Sequence, residues 1–107
     1  MSDYFETKKD HGKLRYSLLY WPFVRGIVQI LEFGAKKYSL GSWKTVPDAE
    51  IRYRDAAIRH IMDATHDLDP ESGLDPLLHA ACNLMFLYFF KCEKRKTIPD
   101  SIDEMPR

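Results

Sequence analysis

Apolar residues recur at spacings of three and four along the first part of the chain, which is the period of an amphipathic helix. Charged and polar residues occupy the opposite stripe of this segment: Arg25, Gln29, Glu32 and Lys36. Pro22 suits the first turn of such a helix, where its missing N–H costs nothing. The pattern predicts a first helix over residues 21–38, with an apolar stripe of Val24, Ile27, Val28, Leu31, Ala35 and Tyr38.

Two further helices are predicted downstream. The second runs from Asp48 or Ala49 to His66, and its predicted apolar side consists of Ala57, Ile58, Ile61, Met62 and Ala64. Pro70 and Gly73 interrupt the helical pattern after it. The third helix begins at Pro76, behind the N-cap residue Asp75, and continues to about Lys94.

The remaining segments predict irregular structure: an N-terminal arm over residues 1–15, a loop over 39–47 and a loose C-terminal tail over 97–107. No stretch alternates with period two for long enough to form a strand. We therefore expect a single all-α domain over residues 1–107, a small bundle of about three main helices. The third helix is apolar almost all round and needs cover on more than one side. We expect homo-oligomerisation, to a dimer or larger, to complete the bundle.

Composition excludes several classes of protein. The 107 residues are 45% hydrophobic, too apolar for a disordered chain, and 16 basic residues balance 16 acidic ones. This balance argues against a nucleic-acid partner, and the short apolar runs argue against a membrane partner. The N-terminus lacks the apolar segment of a signal peptide.

Ten residues separate Cys82 from Cys92, about 15 Å along a helix, which is too far for a disulfide. We expect a cytoplasmic protein, in the host cytoplasm if it is viral.

An acidic segment with histidines is the first candidate for chemistry. Six acids and one base, Arg59, lie between residues 55 and 75. Carboxylates with imidazoles nearby can bind Mg²⁺ or Mn²⁺. The candidate metal ligands are Asp55, Asp63 and Asp67, and the candidate catalytic residues are His60, His66 and His79. The alternative is a solvated helix face followed by a polar loop.

The third helix carries two polar residues on an otherwise apolar stretch. His79 and Asn83 are four residues apart and therefore share one helix face. Each needs a hydrogen-bond partner, because an unpaired buried polar group costs about 1–3 kcal/mol. Either they belong to a structural network, or they face a polar cavity shared with the acidic side of the second helix. We favour the cavity, and expect His79 to contact a phosphate or a metal-bound water there.

Basic and aromatic residues elsewhere suit a nucleotide. Lysine and arginine side chains bind phosphates, and an indole ring stacks on a base. The alternative is that these basic side chains are merely solvated. The candidate substrate-binding residues are Lys13, Arg15, Lys37, Trp43, Arg59 and Asn83.

Four blocks of sequence resemble one known family. The blocks are KKDHGKLRYSLL, LEFGAKKYSLGSW, RYRDAAIRHIMDA and DPESGLDPLLHAACNLMFL, in that order over roughly residues 8–92. They are similar to the phage family of dATP/dGTP diphosphohydrolases, which is described as MazG-like. The resemblance implies an all-α enzyme that uses Mg²⁺ to cleave a nucleoside triphosphate to monophosphate and pyrophosphate.

The chain departs from the MazG pattern of metal ligands. MazG-type enzymes hold their metals with an ExxE motif on one helix and an ExxD motif on another. Here Ala35 occupies the position of the second acid that would follow Glu32 in an ExxE motif. The third helix carries His79 and Asn83 where an ExxD pair would be expected.

Three functions therefore compete. The first is metal-dependent hydrolysis of a (deoxy)nucleoside triphosphate. The second is a binding protein that sequesters a nucleotide or a nucleotide signal without cleaving it, which the missing motifs favour. The third is an interaction module whose aromatic helix docks a partner.

Overall fold

Three α-helices form the fold in the computed structural model, which describes residues 11–65 and 67–96. They are α1 (Trp21–Lys37), α2 (Ala49–Asp63) and α3 (Pro76–Lys96). Two short 3-10 helices, Tyr16–Leu18 and Ser42–Thr45, lie before α1 and between α1 and α2. The described part of the chain contains no strand, so the predicted all-α class is confirmed. Residues 1–10 of the predicted arm and the whole predicted tail, residues 97–107, lie outside the described residues.

The helix ends follow local chemistry. Pro22 lies in the first turn of α1, and Lys36 and Lys37 lie in its last turn, where cations interact favourably with the helix dipole. Asp75 caps α3 as predicted, because its carboxylate accepts a hydrogen bond from the backbone N–H of Leu77 at 2.8 Å. Helix α2 ends at Asp63, three residues earlier than predicted.

Helix α3 is the central element, because it packs against both α1 and α2. The most deeply buried residues are small: Cys82, Ala57 and Ala80 are 1–3% exposed. Small side chains let helix axes approach closely. At Gly26 of α1 the approach leaves no room for a side chain, because a Cβ there would lie 2.6 Å from both methyl carbons of Leu78.

The predicted apolar side of α2 is wrong in its orientation. Ile58, Ile61 and Met62 are 51%, 52% and 69% exposed, whereas Ala57 is buried. The side of α2 that is least exposed runs through Ala49, Tyr53, Ala57 and His60, again at helical spacing. This stripe combines two alanines, which allow close contact with α3, with the rings of Tyr53 and His60, which lie against rings of α3. The larger aliphatic residues are left on the outside.

Large apolar side chains also stay exposed on α3. Leu77, Leu84 and Tyr88 are 51–55% exposed in the single chain. Homo-oligomerisation stays a prediction, and these two uncovered faces are its structural motivation. None of the described helices is long and apolar enough to span a membrane.

We expect light scattering to give a mass at least twice the 12.6 kDa of one chain, because apolar faces of this kind are covered by association. Replacing Ile58 and Met62 by Glu places charges on the exposed side of α2, whereas replacing Leu84 and Tyr88 does so on α3. The double substitution that lowers the mass identifies the helix that forms the contact between copies. A mass of one chain at all concentrations up to solubility contradicts the prediction.

Gly26→Ala adds a methyl group that forces Leu78 to move, at a cost of about 1–3 kcal/mol. The gain in helix propensity, up to about 1 kcal/mol, offsets part of this cost, and the net effect should be a lower free energy of unfolding. Gly34→Ala is the matched control on the same helix, since no heavy atom lies within 4 Å of a Cβ at that position. It should raise the free energy of unfolding by up to about 1 kcal/mol through helix propensity. Equal effects of the two substitutions, measured by urea titration, would show that the α1–α3 contact is not tight.

Candidate functional site

A cavity of about 850 Å³ lies among the three helices. This volume is within the range of small-molecule sites, about 300–1,000 Å³. The end of α1, the α1–α2 loop, one side of α2, the α2–α3 loop and the first half of α3 all contribute to its wall. The polar and aromatic residues of the wall are Phe33, Lys37, Tyr38, Ser39, Ser42, Trp43, Arg52, Tyr53, Arg59, His60, Asp69, Glu71, His79, Asn83 and Phe86.

One end of the cavity is aromatic. The ring of Trp43 stacks on that of Phe86 with centroids 4.5 Å apart, and Tyr53 lies 4.8 Å from Phe86. The Tyr53 hydroxyl donates a hydrogen bond to the carbonyl oxygen of Trp43 at 2.8 Å. Burial raises the pKa of Tyr53, so the hydroxyl keeps its proton. These contacts hold the α1–α2 loop against α2 and α3.

The other end contains two stacked imidazoles. The rings of His60 on α2 and His79 on α3 are nearly parallel, with centroids 4.7 Å apart. Ser72 Oγ lies 2.6 Å from His79 Nε2, and an Asp69 carboxylate oxygen lies 3.9 Å from the same nitrogen. Asp69 also accepts hydrogen bonds from the backbone N–H groups of Glu71 and Ser72.

Both imidazoles are held in their neutral form. Burial lowers the pKa of His79, and the neighbouring His60 lowers it further, whereas Asp69 acts in the opposite direction. Burial is also the main cause that lowers the pKa of His60, with Arg59 adding to it and Asp69 and Asp63 opposing it. Neutral imidazoles can accept a proton near pH 7.

Asn83 lies between the two ends and is 7% exposed. Its side-chain nitrogen donates a hydrogen bond to the carbonyl oxygen of His79, one turn earlier, at 2.8 Å. This bond fixes the orientation of the amide, because an oxygen in that place would repel the carbonyl. Within residues 11–65 and 67–96 no donor bonds the amide oxygen of Asn83, although it belongs to a residue of the cavity wall. A buried acceptor without a partner is uncommon and suits a ligand that donates a hydrogen bond.

The chain is similar to known proteins over nearly its whole length. Residues 5–100 match the model of the family described as dATP/dGTP diphosphohydrolase, N-terminal. The chain belongs to this family. A relative from Salmonella phage PMBT28, named dATP/dGTP diphosphohydrolase, is 33% identical over 84 residues, which are 77% of this chain and 28% of the relative. The chain thus spans little more than a quarter of that relative's length. No solved structure matches the chain.

The matched region of the dATP/dGTP diphosphohydrolase family includes every residue of the cavity. Six of the predicted site residues lie in its wall, and their contact with a ligand stays a prediction. The α2 neighbour of His79 is His60 and not the acidic side of that helix. The six residues are Lys37, Trp43, Arg59, His60, His79 and Asn83.

Other predicted residues lie elsewhere. Lys13 and Arg15 lie in the exposed segment before α1, outside the cavity wall, and His66 lies outside the described residues. Asp63 and Asp67 line a smaller adjacent cavity of about 340 Å³, together with His60 and Asp69. Asp55 lines neither cavity. In the described part of the chain no three His, Cys, Asp or Glu side chains converge to hold a metal ion, so the predicted trio of carboxylates is not assembled there.

Residues of the site that were not predicted include Tyr53, Asp69, Ser72 and Phe86. Tyr53 could have been predicted from its position, because it lies seven residues before His60 and therefore on the same helix face. Asp69 followed by Ser72 is a polar-turn pattern that could have identified the α2–α3 loop as an ordered turn. Phe86 continues the face of His79 and Asn83 by one further turn.

We expect the free energy of unfolding to fall as the pH drops below the ordinary histidine pKa of 6.5. The unfolded chain binds protons there, whereas folded His60 and His79 do not, because their pKa values are lowered. Their contribution to stability is therefore complete above pH 6.5 and is lost as the pH falls toward the folded pKa values. Denaturant titrations between about pH 7.5 and 5.5 measure the slope.

The double variant His60→Gln, His79→Gln should flatten this slope, and the exposed His11→Gln serves as the matched control. A double variant with the wild-type slope would show that other groups cause the pH dependence.

Proposed function

We propose that the protein binds a (deoxy)nucleoside triphosphate in the cavity and hydrolyses it to a monophosphate and pyrophosphate. The observation that carries the proposal is the cavity itself. In it the amide oxygen of the buried Asn83, which accepts no hydrogen bond from the described residues, lies between an aromatic end and an end with two neutral imidazoles. Membership in the dATP/dGTP diphosphohydrolase family supports it, as does the name of the phage relative.

The base would occupy the aromatic end. Aromatic side chains bind bases by stacking, worth about 1–3 kcal/mol per base. The base was predicted to stack on Trp43. One face of this ring is already covered by Phe86, so the base would have to use the other face or displace Phe86. The Asn83 amide oxygen would accept a hydrogen bond from the exocyclic amine of a base or from a sugar hydroxyl. Adenine and cytosine carry such an amine, and so does guanine.

The phosphates would occupy the histidine end. Arg59 lies in the cavity wall and forms no ion pair with any described residue, so its guanidinium is available for a phosphate oxygen. Lys37 pairs with Glu71 and would exchange this partner for phosphate. The predicted contributions of Lys13 and Arg15 would require the segment before α1 to reach the ligand from another copy or by movement.

Hydrolysis between the α- and β-phosphates needs a water molecule and a base. Water would attack the α-phosphorus, the bond to the β-phosphate oxygen would break, and pyrophosphate would leave. A neutral imidazole of the His60–His79 pair would take the proton of the water, and Arg59 would stabilise charge on the phosphates. His66 stays a prediction for the same role.

Mg²⁺ or Mn²⁺ also belongs to the proposal, as a companion of the triphosphate. Mg²⁺ commonly binds through one or two carboxylates and the substrate phosphates. The described side chains do not fit a resident metal with three protein ligands. Assays with each cation and with a chelator test whether one is required.

The protein should release pyrophosphate from at least one deoxynucleoside triphosphate in the presence of Mg²⁺ or Mn²⁺. Arg59→Gln should weaken nucleotide binding by about tenfold, the loss expected for one charge-assisted hydrogen bond. Arg54→Gln is the matched control, because Arg54 is exposed on the same helix and lies outside the cavity wall. Asn83→Leu keeps the size of the side chain and removes the acceptor, so it should weaken binding without emptying the core.

Binding without cleavage is the second candidate, and the replacement of the second ExxE acid by Ala35 favours it. Tight binding of a nucleotide that is recovered unchanged would support this second function. Equal affinities of Arg59→Gln and Arg54→Gln would show that the ligand does not occupy the cavity, and no binding of any nucleotide would exclude both functions.

A further inference from the structure

The hydroxyl of Ser72 is part of a turn that is built against His79. Ser72 Oγ lies 2.6 Å from His79 Nε2 and accepts a hydrogen bond from the backbone N–H of Leu74 at 3.1 Å. The backbone N–H of Ser72 donates to Asp69 Oδ2 at 2.9 Å. The Ser72 side chain is thus fixed on one side by its own loop and faces the imidazole on the other.

The direction of the hydrogen bond between Ser72 and His79 follows from its neighbours. The bond from Leu74 uses the Ser72 oxygen as an acceptor, so the hydroxyl hydrogen remains to be donated. Within the described ranges, His79 Nε2 is the acceptor that lies within hydrogen-bond distance of this hydroxyl. Asp69 Oδ2 already receives two backbone N–H groups and forms no hydrogen bond with Ser72 Oγ. If Nε2 carried the proton instead, the hydroxyl hydrogen would have no partner among these residues.

We propose that Ser72 is a positioning residue for His79: its hydroxyl donates to Nε2 and holds the ring as the neutral tautomer with the proton on Nδ1. The lone pair of Nε2 is then occupied, so His79 acts as a hydrogen-bond donor through Nδ1–H rather than as a base. The ring of His60 forms no hydrogen bond with the described residues, so its lone pair is free. The roles in the pair are thereby divided, with His79 donating to a phosphate oxygen and His60 accepting the proton of water. This division rests on the proposed function, whereas the tautomer does not.

Two groups act on Nε2 of His79 in opposite senses. The Asp69 carboxylate, 3.9 Å away, favours a proton on this nitrogen, whereas the Ser72 hydroxyl is the nearer group at 2.6 Å and can donate to it. His60 on α2 and Asp69 on the loop face His79, and Arg59 and Asp63 act on His60. Burial lowers the pKa of both rings, so both are neutral at the pH of the measurement and a tautomer can be defined for each.

The test is ¹⁵N NMR of the histidine rings in the ligand-free full chain above pH 7. The four histidines give four ring systems, and single His→Gln variants assign them. A ring nitrogen with a free lone pair and one that carries a proton have widely separated ¹⁵N chemical shifts.

In the wild type we expect His79 with protonated Nδ1 and unprotonated Nε2. Ser72→Ala should change the tautomer ratio by roughly two- to tenfold toward protonated Nε2, as the loss of one hydrogen bond implies. Ser72→Thr keeps the hydroxyl and should keep the wild-type spectrum.

Ser17→Ala is the control for loss of a serine hydroxyl, because Ser17 is exposed and lies outside the cavity wall. Protonated Nε2 in the wild type, or identical His79 spectra for wild type and Ser72→Ala, would overturn the proposal. Assays of the same variants separate it from the proposed function. If the wild type cleaves nucleotides, kcat should fall in Ser72→Ala and recover in Ser72→Thr. If no nucleotide is bound or cleaved, the proposed function fails, and the ring spectra still decide the role of Ser72.

Discussion

The contact between α2 and α3 positions almost everything else in the molecule. Each of the two helices buries an alanine, Ala57 on α2 and Ala80 on α3. Side chains of this size keep the helix axes close, and at that separation the rings of His60 and His79 can lie directly on each other. Larger residues would push the helices apart and part the two rings. The small core is therefore a geometric requirement of the site as well as a consequence of short helices.

The loop between α2 and α3 is ordered by its own contacts at the polar end of the cavity. Asp69 organises the α2–α3 turn through two backbone N–H groups, and the Lys37–Glu71 ion pair ties this turn to the end of α1. Both partners of that ion pair are substantially exposed, so it contributes little to stability. The ion pair instead places the ammonium group of Lys37 and the carboxylate of Glu71 at the cavity. An anionic ligand would compete there with Glu71 for Lys37.

Helical periodicity was sufficient for the fold class and insufficient for the orientation of α2. The period is the same whether Ile58 or Ala57 faces inward, and hydrophobicity alone favours isoleucine. The structure reverses this preference, because the inward stripe combines the small Ala57 with two ring side chains, Tyr53 and His60, which lie against rings of α3. The same limitation applies to Trp43: composition identifies it as a candidate for base stacking, but only the structure shows Phe86 already against it. His79 and Asn83 were predicted together because two polar residues on one apolar helix face require a polar environment, and both lie in the wall of the cavity. Their contact with a ligand stays a prediction.

The order of side chains along α3 gives the cavity a direction. His79, Asn83 and Phe86 follow one another at spacings of four and three, so they form a row with steps of about 5–6 Å along one face. Polarity changes along this row from an imidazole through a primary amide to an aromatic ring. A nucleotide has the same order of chemistry, from phosphates through sugar hydroxyls to a base. A ligand bound along the row would therefore be oriented by a single rigid helix, while the loops on either side supply charge at one end and aromatic contacts at the other.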